Sequence, residues 1–207
     1  MAKKNYVSNS EESIRLFQNP FMESLSKVHF AVPLFIFIPL NAFLIYYGIQ
    51  NGLTAISSIF LWFFGGIFVW TIVEYVLHRF IFHYHPTSEF GKKIHFIFHG
   101  IHHDYPRDRL RLVMPPSVSI PLATLFFFLY RSFIPEPQLY IFFGGFLTGY
   151  LIYDMFHYAI HHVEVKGKLW NMLKTHHLKH HYNDPEKGFG VSSPLWDIIV
   201  RSNFDKG

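Results

Sequence analysis

The chain of 207 residues contains no cysteine. Disulfides and thiolate metal ligands are therefore excluded, and nothing points to an oxidising compartment. Charge is scarce too: 15% of the residues are Asp, Glu, Lys or Arg, against about 25% in ordinary globular proteins. No cleavable signal is recognisable at the amino end. "MAKKNYVSNSEESIRLFQNP" is polar, mixed in charge and without a small-residue cleavage site before the first apolar run. There is no internal repeat and no low-complexity tract. The charge deficit is filled by apolar residues, 50% of the chain, with 25 Phe, 12 Tyr and 4 Trp.

Those residues gather in four stretches, roughly Phe30–Ile49, Leu53–Val76, Val118–Ile134 and Leu139–Phe156. Each approaches the ~20 residues that cross a ~30 Å hydrocarbon core. The third is the shortest and contains Pro121 and Arg131. Runs such as "SIFLWFFGGIFVW" are apolar on every face, which argues against a soluble bundle. The expectation is an all-α integral membrane protein with four transmembrane helices and a cytoplasmic helical cap. Residues 1–29 form a polar arm, and 30–207 a single membrane domain. With four spans, Arg131 alone of the 18 Lys and Arg falls at the far face. The positive-inside rule makes the shared side of both termini cytoplasmic. This asymmetry accounts for the formal charge of +4 and the pI near 9.2, so nucleic acid is not an expected partner.

Fourteen of the 15 histidines lie on that same side; His29, at the mouth of the first span, reads as an interfacial residue. "HRFIFH" holds His78 and His83. "HFIFHGIHHD" holds His95, His99, His102 and His103. "HYAIHH" holds His157, His161 and His162, and "THHLKHH" holds His176, His177, His180 and His181. His99, His102 and His103 stand at i, i+3 and i+4, as do His177, His180 and His181. Such residues share a helix face, so each triad is expected to converge on one centre. His157 and His161 are an i, i+4 pair, whereas the five-residue step from His78 to His83 predicts a bend or unwinding. Two membrane-helix ends and two cytoplasmic helices thus aim ten imidazoles inward: His78, His83, His99, His102, His103, His157, His161, His177, His180 and His181.

Ten ligands are too many for one ion, since zinc takes about four and catalytic first-row metals keep a position open. Two ions with four or five imidazoles each account for the number. Without metal, clustered imidazoles would repel on protonation and lose hydration of their ring nitrogens. Imidazole suits iron, zinc and copper alike, so the spacing does not choose the metal. Redox-active ions with open positions can use dioxygen against an unactivated C–H bond, whereas zinc serves hydrolysis or structure.

The motifs "EYVLHRFIFHYHP", "HFIFHGIHHDYPRDRLRLVMPP", "YDMFHYAIHH" and "KTHHLKHHYNDPEKGFGVSSPLWD" resemble the fatty acid 2-hydroxylases of the fatty acid hydroxylase superfamily, histidine-rich membrane di-metal oxygenases. The likeness runs from about Glu74 to Asp197. It implies hydroxylation at carbon 2 of a long-chain fatty acid or of a sphingolipid N-acyl chain. It also implies two iron ions, dioxygen as co-substrate and the ten histidines as ligands; zinc can occupy the same sites in a purified sample. His95 and His176 stand at recurrent family positions that suit hydrogen bonding to ligands. His162, where relatives have an aromatic residue, is a third such candidate. Eukaryotic members often carry a cytochrome b5 domain ahead of the membrane part, where this chain has about 29 polar residues. The implied electron donor is thus an external protein, such as cytochrome b5 or a ferredoxin with its reductase.

Further roles follow from position. Asp154 precedes His157 by three residues and is placed to accept its second N–H. Tyr153 can line the substrate path. Glu74, four before His78, can support it or bind metal. Intramembrane acids are costly enough that function is the default reading. Asp104, Arg107, Asp108, Arg109 and Arg111 read as a solvated loop anchored to anionic headgroups. Trp170 and Trp196 are expected at the interface or beside an acyl groove. The alternatives are a sterol or carotenoid hydroxylase or a desaturase, against which "RLVMPP" and "GFG" argue, and a metal transporter or store. A transporter needs polar residues near the bilayer midplane, whereas these histidines sit at one face.

Overall fold

Gly145, in the helix Gln138–His162, is where the frame is closest. A Cβ there would lie 1.9 Å from the Phe63 carbonyl oxygen, and one on Gly66 would lie 2.0 Å from that of Phe142. Small residues at the crossing let two helix backbones touch. The computed structural model describes residues 5–204; residues 1–4 and 205–207, the extremes of the expected arm and membrane domain, lie outside the described residues.

Among the described residues all regular structure is helical. The helices are α1 (Pro20–Leu25), α2 (Ala31–Gln50), α3 (Ile56–Val76), α4 (Glu89–His95), α5 (Ile101–Asp104), α6 (Pro116–Arg131), α7 (Gln138–His162), α8 (Lys168–Tyr182) and α9 (Leu195–Ile199), and a π-helical turn at Phe96–Gly100 joins α4 to α5 as one cap helix. α7 is the central post, burying Leu139, Ile141, Phe143, Phe146 and Leu147, with α2 and α3 against it. The outer faces of α2 and α3 present Phe35, Phe43, Tyr46, Phe60, Leu61 and Phe64, an apolar belt that water would not tolerate at this extent.

Three helices are long and apolar enough to cross a membrane: α2, α3 with its continuation to Phe82, and α7. The third apolar stretch becomes α6, of 16 residues. At 1.5 Å per residue it spans about 24 Å, short of the ~30 Å core. It opens on the Pro115–Pro116 pair and stops at Arg131. α7 runs past Phe156 to His162, so its histidines ride on unbroken helix. Beyond α3 the expected unwinding takes the form of a looser helical turn rather than a break in the helix. Leu77–Phe82 form a π-helical turn, closed by His83 N–H donating to the His78 carbonyl at 3.2 Å. An i→i+5 repeat brings residues five apart onto one face.

The polar arm folds back on the cap. The N–H groups of Val7 and Ser8 donate to the Asp104 carbonyl, and Glu11 pairs with Arg107 and Arg109 at 2.7 Å each. Arg111 is buried against Glu23 at 2.7 Å, Asp108 at 3.0 Å and Ser13 Oγ at 2.8 Å. The loop expected to be solvated is therefore closed at Asp108 and Arg111. The reason is that the arm supplies carboxylate and hydroxyl partners that replace water.

Candidate metal centre

The ten histidines come together as two adjoining groups of five. His78, His83, His99, His103 and His180 form the first, and His102, His157, His161, His177 and His181 the second. Within each group one nitrogen per ring lies within 4.8 Å of all the others. The rings of His103 and His181 stack at 4.3 Å where the groups meet. Each HxxHH triad is split between the groups, contrary to the single-centre expectation. His99 and His103 join the first group and His102 the second; His177 and His181 join the second and His180 the first. Consecutive helical residues diverge by about 100°, so His102 and His103, or His180 and His181, cannot aim at one point. Each group thus takes an i, i+4 pair from one cap helix, the odd histidine from the other, and a pair from a membrane-helix end.

The donor set fits cations. Nε2 of His99 faces Nε2 of His78, His83 and His103 at 3.2, 3.2 and 3.1 Å. His180 meets His83 at 3.1 Å. In the second group His157 meets His102 at 2.8 Å, and His177 meets His161 and His181 at 3.1 Å each. One ring nitrogen has a single proton or lone pair, so His99 cannot satisfy three neighbours. Nitrogens near 3.1 Å apart match right-angled ligands about 2.2 Å from a common ion, close to the usual metal–imidazole length. Burial, followed by the neighbouring imidazoles, lowers the pKa of His83, His99, His102, His103, His177 and His181. Burial also brings His180 down to about 3. All seven are neutral at pH 7, the form that ligates.

The remaining candidates stand elsewhere. Asp154 does not reach the His157 ring. Its carboxylate accepts from Met114 N at 3.2 Å and Tyr150 Oη at 3.0 Å, and His157 Nδ1 has no partner among the described residues. Tyr153 packs its ring 5.7 Å from that of His157. Glu74 lies in neither group; it accepts from the N–H groups of Val191 and Ser192 and from Ser192 Oγ. His176 bonds Asp197 at 3.0 Å rather than a clustered imidazole. His95 is near His85, with Nε2 unpartnered, and His162 packs against Tyr158 with the rings tilted. Asp197, fully buried, went unread in the sequence, although a lone acid in "SSPLWDIIV" signals a buried polar partner.

A cavity of about 360 Å³ reaches both groups, through His99 of the first and His102 and His157 of the second. Its wall is largely apolar: Leu16, Phe17, Met22 and Leu25 from the arm, Phe98 and Val113 opposite, with Tyr153, Asp154 and Arg111 as polar points. Met22, Leu25 and Phe98 are also exposed, so the cavity opens at the surface. Neither Trp170 nor Trp196 lines it. Trp170 packs on Phe156, and Trp196 donates to Thr71.

Neutral imidazoles in two groups, at one end of an apolar helical frame, define a histidine-rich metal-dependent membrane enzyme. The fatty acid hydroxylase family model matches residues 63–202. A dihydroceramide fatty acyl 2-hydroxylase of Arabidopsis thaliana is 39% identical over 92% of this chain and 80% of its own length. The fatty acid 2-hydroxylase of Rattus norvegicus is 38% identical over 91% of this chain and 56% of its own. A solved structure of full-length scs7p, in which only the hydroxylase domain is visible, matches with a TM-score of 0.85 and 36% identity. That match covers 92% of this chain and 72% of the other. The chain belongs to the fatty acid hydroxylase family, and is an oxidoreductase of the monooxygenase type.

Proposed function

We propose that the chain hydroxylates carbon 2 of a long acyl chain, as a free fatty acid or as the N-acyl chain of a sphingolipid. The observation that carries this is an apolar, surface-opening cavity whose inner end touches imidazoles of both groups. The two groups of five histidines would each hold one iron ion. Bound there, the pair of irons supplies the chemistry that sets dioxygen against the C–H bond. Inserting one oxygen atom and releasing the other as water takes two electrons and two protons, and an external one-electron carrier provides the electrons.

The protein's own part is placement. Leu16, Phe17, Met22 and Leu25 bind the chain and keep water out, so the polar end stops near Tyr153 and Asp154 with carbon 2 beside His99, His102 and His157. Tyr150 Oη and Met114 N–H hold the Asp154 carboxylate at the cavity edge. α6 would be the fourth span, shorter than the rest, so that the turns at 51–55 and 132–137 share the far face. The termini and the histidines would then be cytoplasmic, as the basic residues require.

The test is expression with a working electron donor, a saturated long-chain fatty acid or a ceramide as substrate, and mass spectrometry of the products. A 2-hydroxy acyl product is expected. Absence of product from both substrates with iron-loaded protein refutes the reading.

A further inference from the structure

The two groups are held differently from outside. In the first, Nδ1–H of His78 donates to the Phe189 carbonyl, and that of His180 donates to the Lys187 carbonyl at 2.8 Å. Donation from Nδ1 fixes the tautomer and leaves Nε2 as a lone pair facing the centre. In the second, Nδ1 of His157, His177 and His181 is buried without a partner among the described residues.

Both carbonyls belong to one loop, residues 187–193, between α8 and α9. Two buried carboxylates tie that loop down. Asp197 accepts from Phe189 N at 2.9 Å, Gly190 N at 2.7 Å, Ser202 Oγ at 2.7 Å and His176 Nε2 at 3.0 Å. Glu74, from the end of α3, accepts from Val191 N at 2.9 Å, Ser192 N at 2.8 Å and Ser192 Oγ. The wrap is tight enough that a Cβ on Gly190 would lie 2.1 Å from the Ser193 carbonyl oxygen. Charged acceptors on backbone N–H groups are among the stronger hydrogen bonds and fix geometry as well. The carbonyls they aim reach His78 and His180, both in the first group.

We propose that Asp197 and Glu74 are positioning residues of the first centre alone, acting through the carbonyls of Phe189 and Lys187. The proposal rests on the two-centre reading above. Its consequence is that the two ions are unequally supported and can be weakened one at a time.

The test is an equilibrium titration of the full chain in detergent with Zn²⁺ against a competing chelator, with bound metal counted per chain. The wild-type chain should hold two ions. Asp197→Asn should weaken one site by about 10–100-fold, the usual effect of losing such support, and leave the other within about threefold. Glu74→Gln, which keeps one acceptor oxygen, should give the same pattern with a smaller loss, and serves if Asp197→Asn does not fold. In a His161→Ala background, Asp197→Asn should remove the last tight ion. In a His83→Ala background it should change nothing further. Equal weakening of both sites, or of neither, overturns the inference. A wild-type chain that binds one ion overturns the two-centre reading, and the inference with it.

Discussion

Replacing Arg111 with Met keeps the alkyl stem and removes the guanidinium. Nη1 lies 3.0 Å from Asp108 Oδ2 and 2.8 Å from Ser13 Oγ, and Nη2 lies 2.7 Å from Glu23 Oε1. Both side chains of the Arg111–Asp108 pair are about 3% exposed or less. Breaking a buried ion pair from one side costs about 3–5 kcal/mol, because the stranded charge stays buried. At 1.36 kcal/mol per decade this is roughly a 10²–10⁴-fold rise in the population with the arm detached. Hydrogen exchange by mass spectrometry should show faster exchange over residues 5–26, including the Val7 and Ser8 N–H groups that bond Asp104. Because Leu16, Phe17, Met22 and Leu25 are cavity wall, KM for an acyl substrate should rise with little change in bound metal. The triple variant Glu23→Gln, Asp108→Asn, Arg111→Met should recover most of the protection, since no buried carboxylate is then stranded and Lys27, partly exposed, can turn to water. Exchange over the arm within threefold of wild type, or a triple variant as loose as the single one, refutes the reasoning.

Three further outcomes follow from the same geometry. His180→Ala should cut 2-hydroxylation at least about 100-fold and reduce the bound metal, with unchanged membrane insertion by alkaline extraction; full metal content in this variant would remove His180 from the ligands. Gly145→Ala sets a methyl 1.9 Å from the Phe63 carbonyl oxygen, so a loss of about 1–3 kcal/mol or more is expected as a lowered Tm, and an unchanged Tm would mean the α3–α7 crossing is looser than described. Burial raises the Glu23 pKa, but hydrogen bonds from Lys27 and the N–H groups of Phe17 and Leu16, with the Arg111 charge, bring it down from 4.5 to about 2. A lowered folded-state value stabilises above the ordinary 4.5, and that contribution is lost as pH falls from 4.5 towards 2. Pepsin cleavage of the arm should rise over that window, and Glu23→Gln should flatten the rise.

What could be read in the sequence was what repeats locally. α2, α3 and α7 follow from apolar runs, and the ten histidines from their spacing. The partition of each triad was not legible, because it depends on which side of the cap helix each neighbouring helix lies, and i+3 and i+4 face different sides. Glu74 and Asp154 were marked by the cost of an acid among apolar residues, but their partners were not. The bonds of Glu74 to residues 191 and 192 cross more than a hundred positions. Arg111 looked like loop surface because its partners, Ser13 and Glu23, come from an arm whose polarity suggested solvent.

The splitting of the triads links the two groups through the backbone. His102 and His103 are joined by one peptide unit and belong to different groups, and the same holds for His180 and His181. Adjacent Cα atoms stay 3.80 Å apart whatever the packing does. The two groups are therefore tied to one another twice through the backbone, on two separate helices. A helix that slides or tilts therefore moves a histidine of each group at once, and neither group shifts on such a helix by itself.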